Sequence, residues 1–379
     1  MATENNNKNL NVPNLRFPEF SGEWVRCALG DITENFSRRN KEEIHYPMFS
    51  VTNNKGFIPQ SEQFEDREMV GEDIKAYKII HKDDFAYNPA RINVGSIAKY
   101  NGENPCMISS LYVCFKTNPK IDNDWMMQLL KTPKMNFYYN INGEGGVRVY
   151  LFYPNFARIR TSYPTLQEQQ KISSFLTLLD ERIATQIKII EKLESLIKGL
   201  YERLFNIDGA AYIQLGNVAK IQKGQQINGE ELSEIGSYYV MNGGVVPSGY
   251  LEDFNTPANT ISISEGGNSC GYVQYNGVPF WSGGHCYTLI EPINSFNYKY
   301  LFHYLKFKEQ SIMALRIGSG LPNIQKKDLE RFPILKVSKE EQDKMACIFD
   351  DILDRIICER QIALKYEEQK KYLLSNLFI

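Results

Sequence analysis

Two short motifs in this chain imitate catalytic sites. Gly267-Asn268-Ser269-Cys270-Gly271 fits the G-x-S-x-G pattern, in which a strained turn exposes a nucleophilic serine. That geometry needs a helix after the serine. Here Tyr272-Val273-Gln274-Tyr275-Asn276-Gly277 alternates as a strand does and ends on an Asn-Gly turn, so a hairpin loop is the better reading. His285 is the base such a serine would use, but a structural histidine is the better reading. Asn88-Pro89-Ala90-Arg91 imitates the N-P-P-aromatic motif of amino-methyltransferases but lacks the second proline and the aromatic residue, and no glycine-rich cofactor loop in a strand-to-helix setting precedes it. The sequence has no phosphate-binding G-x-x-x-x-G-K-[ST], no H-E-x-x-H and no C-x-x-C. Its four histidines are far apart, and its seven cysteines have no framework spacing. No catalytic residue, metal site or cofactor is therefore assigned to this chain.

A second kind of chemistry is polar and basic. Asn53, Asn54, Lys55, Arg91, Lys99 and Arg148 in the first half, and Gln225, Asn242, Ser269, Arg316, Lys326 and Lys327 in the second, fall in loop-like stretches. Such groups donate and accept in the pairs that base edges and phosphates require. Between Tyr298 and Lys336, Lys299, Lys306, Lys308, Arg316, Lys326, Lys327, Arg331 and Lys336 outnumber Glu309, Asp328 and Glu330. Over the matching stretch of the first half, Lys131, Lys134, Arg148, Arg158 and Arg160 outnumber Glu144. A solvated surface is the alternative reading of any one of these, and Arg91 and Asn242 also suit roles within their own turns. The formal net charge of -2 gives no global support for a nucleic-acid partner, so local charge carries that case.

Two long helices are expected to position these loops. Leu166–Phe205 aligns without a gap on 339–378 at a constant shift of 173 residues. Glu168-Gln169 falls on Glu341-Gln342, Arg182-Ile183 on Arg355-Ile356, Glu194 on Glu367, and Leu204-Phe205 on Leu377-Phe378. In the first copy Ile172, Leu176, Leu179, Ile183, Ile190, Leu193, Ile197, Leu200 and Leu204 step by threes and fours, a heptad seam interrupted only at Gln186. The second seam runs through Met345, Phe349, Ile352, Ile356, Ala363, Tyr366, Leu373 and Leu377, with Glu359 and Lys370 as interruptions. Pro164 precedes one helix and a Ser338-to-Glu341 capping box the other.

Fainter echoes link the segments before each helix. Leu29-Gly30-Asp31-Ile32 resembles Leu215-Gly216-Asn217-Val218, the run from Gly95 to Gly102 resembles that from Gly271 to Gly277, and Gly146 and Gly320 hold similar places. The chain thus reads as an N-terminal segment (1–23), a head (24–160), a helix (161–206), a second head (207–337) and a second helix (338–379), with each head α+β. At 379 residues and 42% hydrophobic it has material for two or three cores. No run approaches the roughly 20 apolar residues of a membrane helix. The Asn-rich start lacks the apolar core of a signal peptide, so a cytoplasmic location is expected.

A compact head usually has its ends close together. The second helix should then return antiparallel to the first, giving a pseudo-two-fold dumbbell with a spacer on the order of 60 Å long. Gln186 and Glu359 are equivalent in the repeat and should meet, fixing register at some cost in stability, so that Gln186→Leu raises stability. The alternative is that both are solvated and Ile187 covers the seam.

The order of head, Glu-Gln helix, head, Glu-Gln helix resembles the specificity (S) subunit of type I restriction-modification enzymes. The marks are Leu29-Gly30-Asp31-Ile32, Pro164 ahead of Glu168-Gln169, Gly318-Ser319-Gly320 leading into Asn323-Ile324, and Pro333 ahead of Glu341-Gln342. Gly243-Gly244, Pro247 to Tyr250, Trp281 to Tyr287 and the N-terminal Val12-Pro13-Asn14-Leu15-Arg16-Phe17-Pro18 are also similar to that family. The resemblance implies a non-catalytic DNA reader with two target recognition domains, one per half of a bipartite, asymmetric site on double-stranded DNA. The antiparallel coiled-coil helices would set the gap, with half-sites about 34 Å apart. It implies two methyltransferase (M) subunits and restriction-translocase (R) subunits as partners, and these, not this chain, would use S-adenosylmethionine, ATP and Mg. The rivals are a coiled-coil protein-interaction adaptor and a hydrolase using Ser269. Arg16 and Phe17 are expected to pack on the helices or the first head.

Overall fold

The structure, a computed structural model, describes residues 10–63, 74–145, 150–318 and 322–379. Arg148, Gly146, Ser319 and Gly320 lie outside the described residues. The chain forms two compact units, Met1–Thr185 with Ile362–Ile379, and Gln186–Gln361.

In the first unit, β-branched and aromatic segments broken by Gly and Asn fold as a four-stranded antiparallel sheet. Its order is Thr33–Phe36, Val113–Thr117, Phe85–Tyr87, Ile97–Lys99. Phe85 stacks on Phe115 at 4.9 Å, and Trp125, Tyr87 and Phe156 join them in a core shielded from water. Each such side chain contributes about 1.5–3 kcal/mol by burial. The pair Val25–Ala28 with Arg160–Tyr163 closes the head where its helix begins.

The second unit repeats this plan. Its sheet runs Lys220–Lys223, Cys286–Ile290, Thr260–Ser264, Val273–Asn276, again antiparallel throughout. Tyr212–Gln214 pairs with Pro333–Leu335 as the closing ribbon. The glycine echo has a conformational cause. Gly95 and Gly271 both lead into the fourth strand with left-handed backbone, φ 99° and 92°. A Cβ on Gly271 would also sit 2.8 Å from the Met313 backbone.

Helix α1 spans Leu166–Phe205 and helix α2 spans Lys339–Asn376. Within the first unit Ile172, Leu176 and Leu179 of α1 join Leu373, Leu374 and Leu377 of α2 in one core. Within the second, Ile197 and Phe205 join Phe349 and Ile356. In the first unit early α1 residues meet late α2 residues, and in the second late α1 residues meet early α2 residues, so the segments run antiparallel. At the start of α2, Ser338 N–H donates to Glu341 Oε2 at 3.0 Å and Glu341 N–H donates to Ser338 Oγ at 3.3 Å, completing the capping box. Among the described residues no helix is long and apolar enough to cross a membrane.

The Glu-Gln pair acquires a structural reason. Gln169 Oε1 accepts from Asp122 N–H at 2.8 Å, while its amide donates to the Lys120 and Pro164 carbonyls. Gln342 Oε1 accepts from Asn297 N–H at 2.8 Å, and its amide donates to the Ser295 and Val337 carbonyls. Asp122 and Asn297 cap the helices Asn123–Leu130 and Tyr298–Phe307. Each glutamine thus staples the root of a long helix to its head. Glu168, almost fully buried, takes both Arg16 N–H groups at 2.8 and 2.7 Å. Phe17 meets Phe175 edge-on at 5.7 Å, so Arg16 and Phe17 pack on α1 as expected.

Candidate nucleic-acid interface

Three loops at one end of each sheet bring most of the polar candidates together. In the first head the hairpin between Phe49–Thr52 and Gly56–Pro59 exposes Asn53, Asn54 and Lys55. The connection from Tyr87 to Ile97 carries Arg91. Ser96 Oγ ties these two loops by donating to the Val51 carbonyl at 2.7 Å, and Tyr112, just before the third loop's strand, accepts from Val51 N–H at 3.2 Å. Asn53, Asn54 and Lys55 border two depressions. The larger, about 610 Å³, adds Asn88 and Arg91; the smaller, about 370 Å³, adds Lys99 and Asn101.

The cations there have different freedom. Arg91 is exposed, and its guanidinium has no partner among the described residues. Lys99 is tied to Asp124 at 2.6 Å and faces Asp83 at 3.5 Å, with 12% of its side chain exposed. The Asn88-Pro89-Ala90-Arg91 motif is a turn: Asn88 Oδ1 accepts from Ala90 N–H at 3.0 Å, and its carbonyl from Arg91 N–H.

The second head uses the corresponding loops. Asn242-Gly243-Gly244 follows Tyr238–Met241, Glu265 to Tyr272 joins the two hairpin strands, and Gly283-Gly284-His285 precedes Cys286–Ile290. Their backbones nearly touch: a Cβ on Gly243 would lie 3.1 Å from His285 Cβ and 3.4 Å from the Gly266 carbonyl. Asn242 braces this junction, its Oδ1 accepting from His285 N–H at 3.1 Å. Gln225 is exposed, anchored by its N–H to the Ser282 carbonyl and leaving its side-chain amide free among the described residues. Ser269 is part of the hairpin turn, with Val273–Asn276 a strand and not the helix a serine hydrolase needs.

The basic residues of this head divide likewise. Lys299 pairs with Asp350 at 3.6 Å, and Lys306 with Glu309 at 2.6 Å. Lys326 faces Glu330 at 3.6 Å, beside Gly216 and Lys220 and away from the three loops. Arg316, Lys327, Arg331 and Lys336 are exposed without an ion-pair partner among the described residues. Arg316 lies close enough to Cys270 to oppose the upward push that burial gives that thiol. Burial also raises the thiols of Cys27 and Cys286 to about 11 and of Cys106 and Cys114 to about 12, which keeps them protonated and unreactive at neutral pH. Among the described residues no cluster of His, Cys, Asp and Glu has metal-binding geometry.

Composition did not single out Glu265, because its role depends on folding. The residue is buried, yet its Oε1 accepts from Lys223 Nζ at 2.7 Å and from the Tyr287 hydroxyl at 3.0 Å. Its N–H donates to the His285 carbonyl, and its own carbonyl accepts from Ile324 N–H. Gln186 and Glu359 also meet. The Gln186 amide donates to the Glu359 carboxylate and, at 3.3 Å, to its carbonyl; both residues are buried, whereas Ile187 is 45% exposed. Arg355 pairs with the same carboxylate.

Known proteins share this architecture. A putative type I specificity subunit of Mycoplasma pneumoniae is 37% identical over 132 residues, 34% of this chain and 34% of that protein. One from Mycoplasma genitalium is 33% identical over 163 residues, 41% and 42% of the two chains. The matches therefore span well under half of these relatives. A putative type I restriction enzyme specificity subunit of Methanocaldococcus jannaschii is 22% identical across 98% of this chain and 96% of its own. The crystal structure of a type I restriction-modification S subunit from M. genitalium superposes with a TM-score of 0.68 at 18% identity, covering 97% of this chain and 99% of that one. With residues 22–195 and 208–367 both matching the Type I restriction modification DNA specificity domain, the chain belongs to that family, as an α+β protein with two recognition domains and two long helices.

Proposed function

We propose that this chain is the non-catalytic, cytoplasmic sequence reader of a type I restriction-modification complex. Each head takes one half of a bipartite, asymmetric site on double-stranded DNA. The helices act as a ruler for the gap, and M and R subunits bound to the chain carry out adenine methylation and cleavage with their own S-adenosylmethionine, ATP and Mg. The observation that carries this reading is the duplicated head: two sheets of identical strand order present the same three loops with different residues. Asn53-Asn54-Lys55 and Arg91 in one head stand where Asn242-Gly243-Gly244 and Ser269 stand in the other. Like geometry with unlike polar groups suits two different half-sites. Gln225, Arg316, Lys326, Lys327, Lys99 and Arg148 are proposed as further DNA contacts, with Lys99 acting while held by Asp124.

The test is adenine methylation, resolved by motif, in cells expressing the chain with its cognate M subunit. A split, asymmetric motif should appear and vanish when the chain is omitted. Exchanging residues 24–160 for another head should change one half of the motif only. Failure to associate with an M subunit, together with weak and salt-insensitive DNA binding, would favour the protein-interaction adaptor instead.

A further inference from the structure

The second head holds a negative charge directly beneath its proposed DNA-facing loops. Glu265 is 8% exposed, and only one of its carboxylate oxygens is matched. Oε1 receives Lys223 and Tyr287. Oε2 is buried and has no hydrogen-bond partner among the described residues, a costly state for a carboxylate oxygen. The imidazole of His285 approaches it, with Nδ1 3.9 Å away.

His285 is placed to move that distance without disturbing the fold. Its backbone is pinned on both sides, by Asn242 Oδ1 on the N–H and by Glu265 N–H on the carbonyl. Its side chain is 62% exposed, which leaves an edge of the ring open to solvent. A neutral imidazole has one N–H; an imidazolium has two, on opposite edges of the ring. Only the charged ring can donate at once to Glu265 and to an anion outside.

We propose that His285 is a DNA-phosphate contact of the second head that takes up a proton on binding, bridging a phosphodiester oxygen on its solvent edge to Glu265 Oε2 beneath. The idea rests on the DNA-reading function given above. Glu265 is the positioning residue, holding the ring through a charge-assisted bond. The other charged and titratable groups facing the pair are Lys223 from the first sheet strand, Cys286 and Tyr287 from the strand that follows His285, and Cys270 in the hairpin turn, itself influenced by Arg316 after the helix Glu309–Met313. Lys223, already paired with Glu265, opposes a second positive charge there. The incoming phosphate reverses that balance, which ties protonation to DNA.

The experiment is fluorescence anisotropy of the full chain with a labelled mixed-sequence duplex of about thirty base pairs at fixed ionic strength, from about pH 8 to pH 6. The natural chain should tighten about fivefold or more over that range, within the tenfold per unit that one proton permits. His285→Gln should bind with that gain removed, His285→Arg should bind tightly at both ends, and Glu265→Gln should show a shallower gain. If Glu265→Gln fails to fold, the exposed His285 variants decide alone. A His285→Gln chain that keeps the natural pH dependence would overturn the proposal and leave DNA reading intact. Absence of duplex binding at every pH would overturn both.

Discussion

Arg91 and Lys99 border the same loop cluster and differ in what holds them. The Arg91 guanidinium has no partner among the described residues, whereas Lys99 is gripped by Asp124 and Asp83. Under the DNA reading, Arg91→Ala should weaken duplex binding about three- to tenfold and lower the slope of log affinity against log salt by about one. Lys99→Ala should lower that slope by clearly less than Arg91→Ala does and cost about 1 kcal/mol of stability in thermal melts, because its charge is shared with carboxylates. Equal slopes for the two variants would contradict this division. The residue types were legible in the sequence, but their engagement was not, since Asp124 reaches Lys99 only once the helix Asn123–Leu130 packs back, and Asp83 only once Phe85–Tyr87 pairs with Ile97–Lys99. The same limit revises the expectation for the seam. Sequence spacing brings Gln186 to Glu359, which led to the expectation that Gln186→Leu would stabilise. With Glu359 only 2% exposed, that single change leaves one oxygen of a buried carboxylate without its donor while Arg355 still holds the other. It should cost about 1–3 kcal/mol. The double variant Gln186→Leu with Glu359→Leu should recover or exceed the original stability. A double-mutant cycle in chemical denaturation measures both, and additive effects would deny the coupling.

At the scale of elements, three helices meet at His303. Tyr201 of α1, His303 of the helix Tyr298–Phe307 and Asp350 of α2 form a chain with both contacts at 2.9 Å. The carboxylate can only accept, so Nε2 carries the proton and Nδ1 accepts from the tyrosine hydroxyl. Burial holds the His303 imidazole below its ordinary value, although the Asp350 hydrogen bond pulls the other way. The unfolded chain therefore binds this proton more readily than the folded one. Its contribution to stability is present above about pH 6.5 and is lost as the pH falls through the lower folded value. The melting temperature should drop on acidification across that window, and His303→Gln, which can accept from Tyr201 and donate to Asp350, should flatten the decline. An unchanged decline would place its origin elsewhere. The heptad seams were legible because Leu and Ile recur at fixed intervals. The clamp was not, because its members come from three separated segments and no local pattern joins them. The Glu-Gln pairs were visible as a repeat, but their function as staples to Asp122 and Asn297 emerged only from backbone positions.

On the scale of the whole molecule, the chain is one unit written twice, and the ruler reading turns that duplication into a length. Inserting one heptad after Thr185 and another after Cys358, equivalent points of the repeat, keeps both seams in phase and lengthens each helix by about 10 Å. That corresponds to roughly three base pairs of duplex, over which the groove turns by about 100°. The heads turn very little relative to each other, because a heptad is nearly two whole helical turns. Distance could then be satisfied but groove phase could not, so methylation of the original motif should be lost and no shifted motif should replace it. Three heptads in each helix add about 32 Å, close to one full turn of DNA, and restore phase. Motif-resolved methylation should then return with both half-sites unchanged and the gap longer by about nine or ten base pairs. Retention of the original gap after either insertion would show that the helices do not measure it. Recovery with one heptad but not with three would mean that length alone is read, with the heads free to follow the groove.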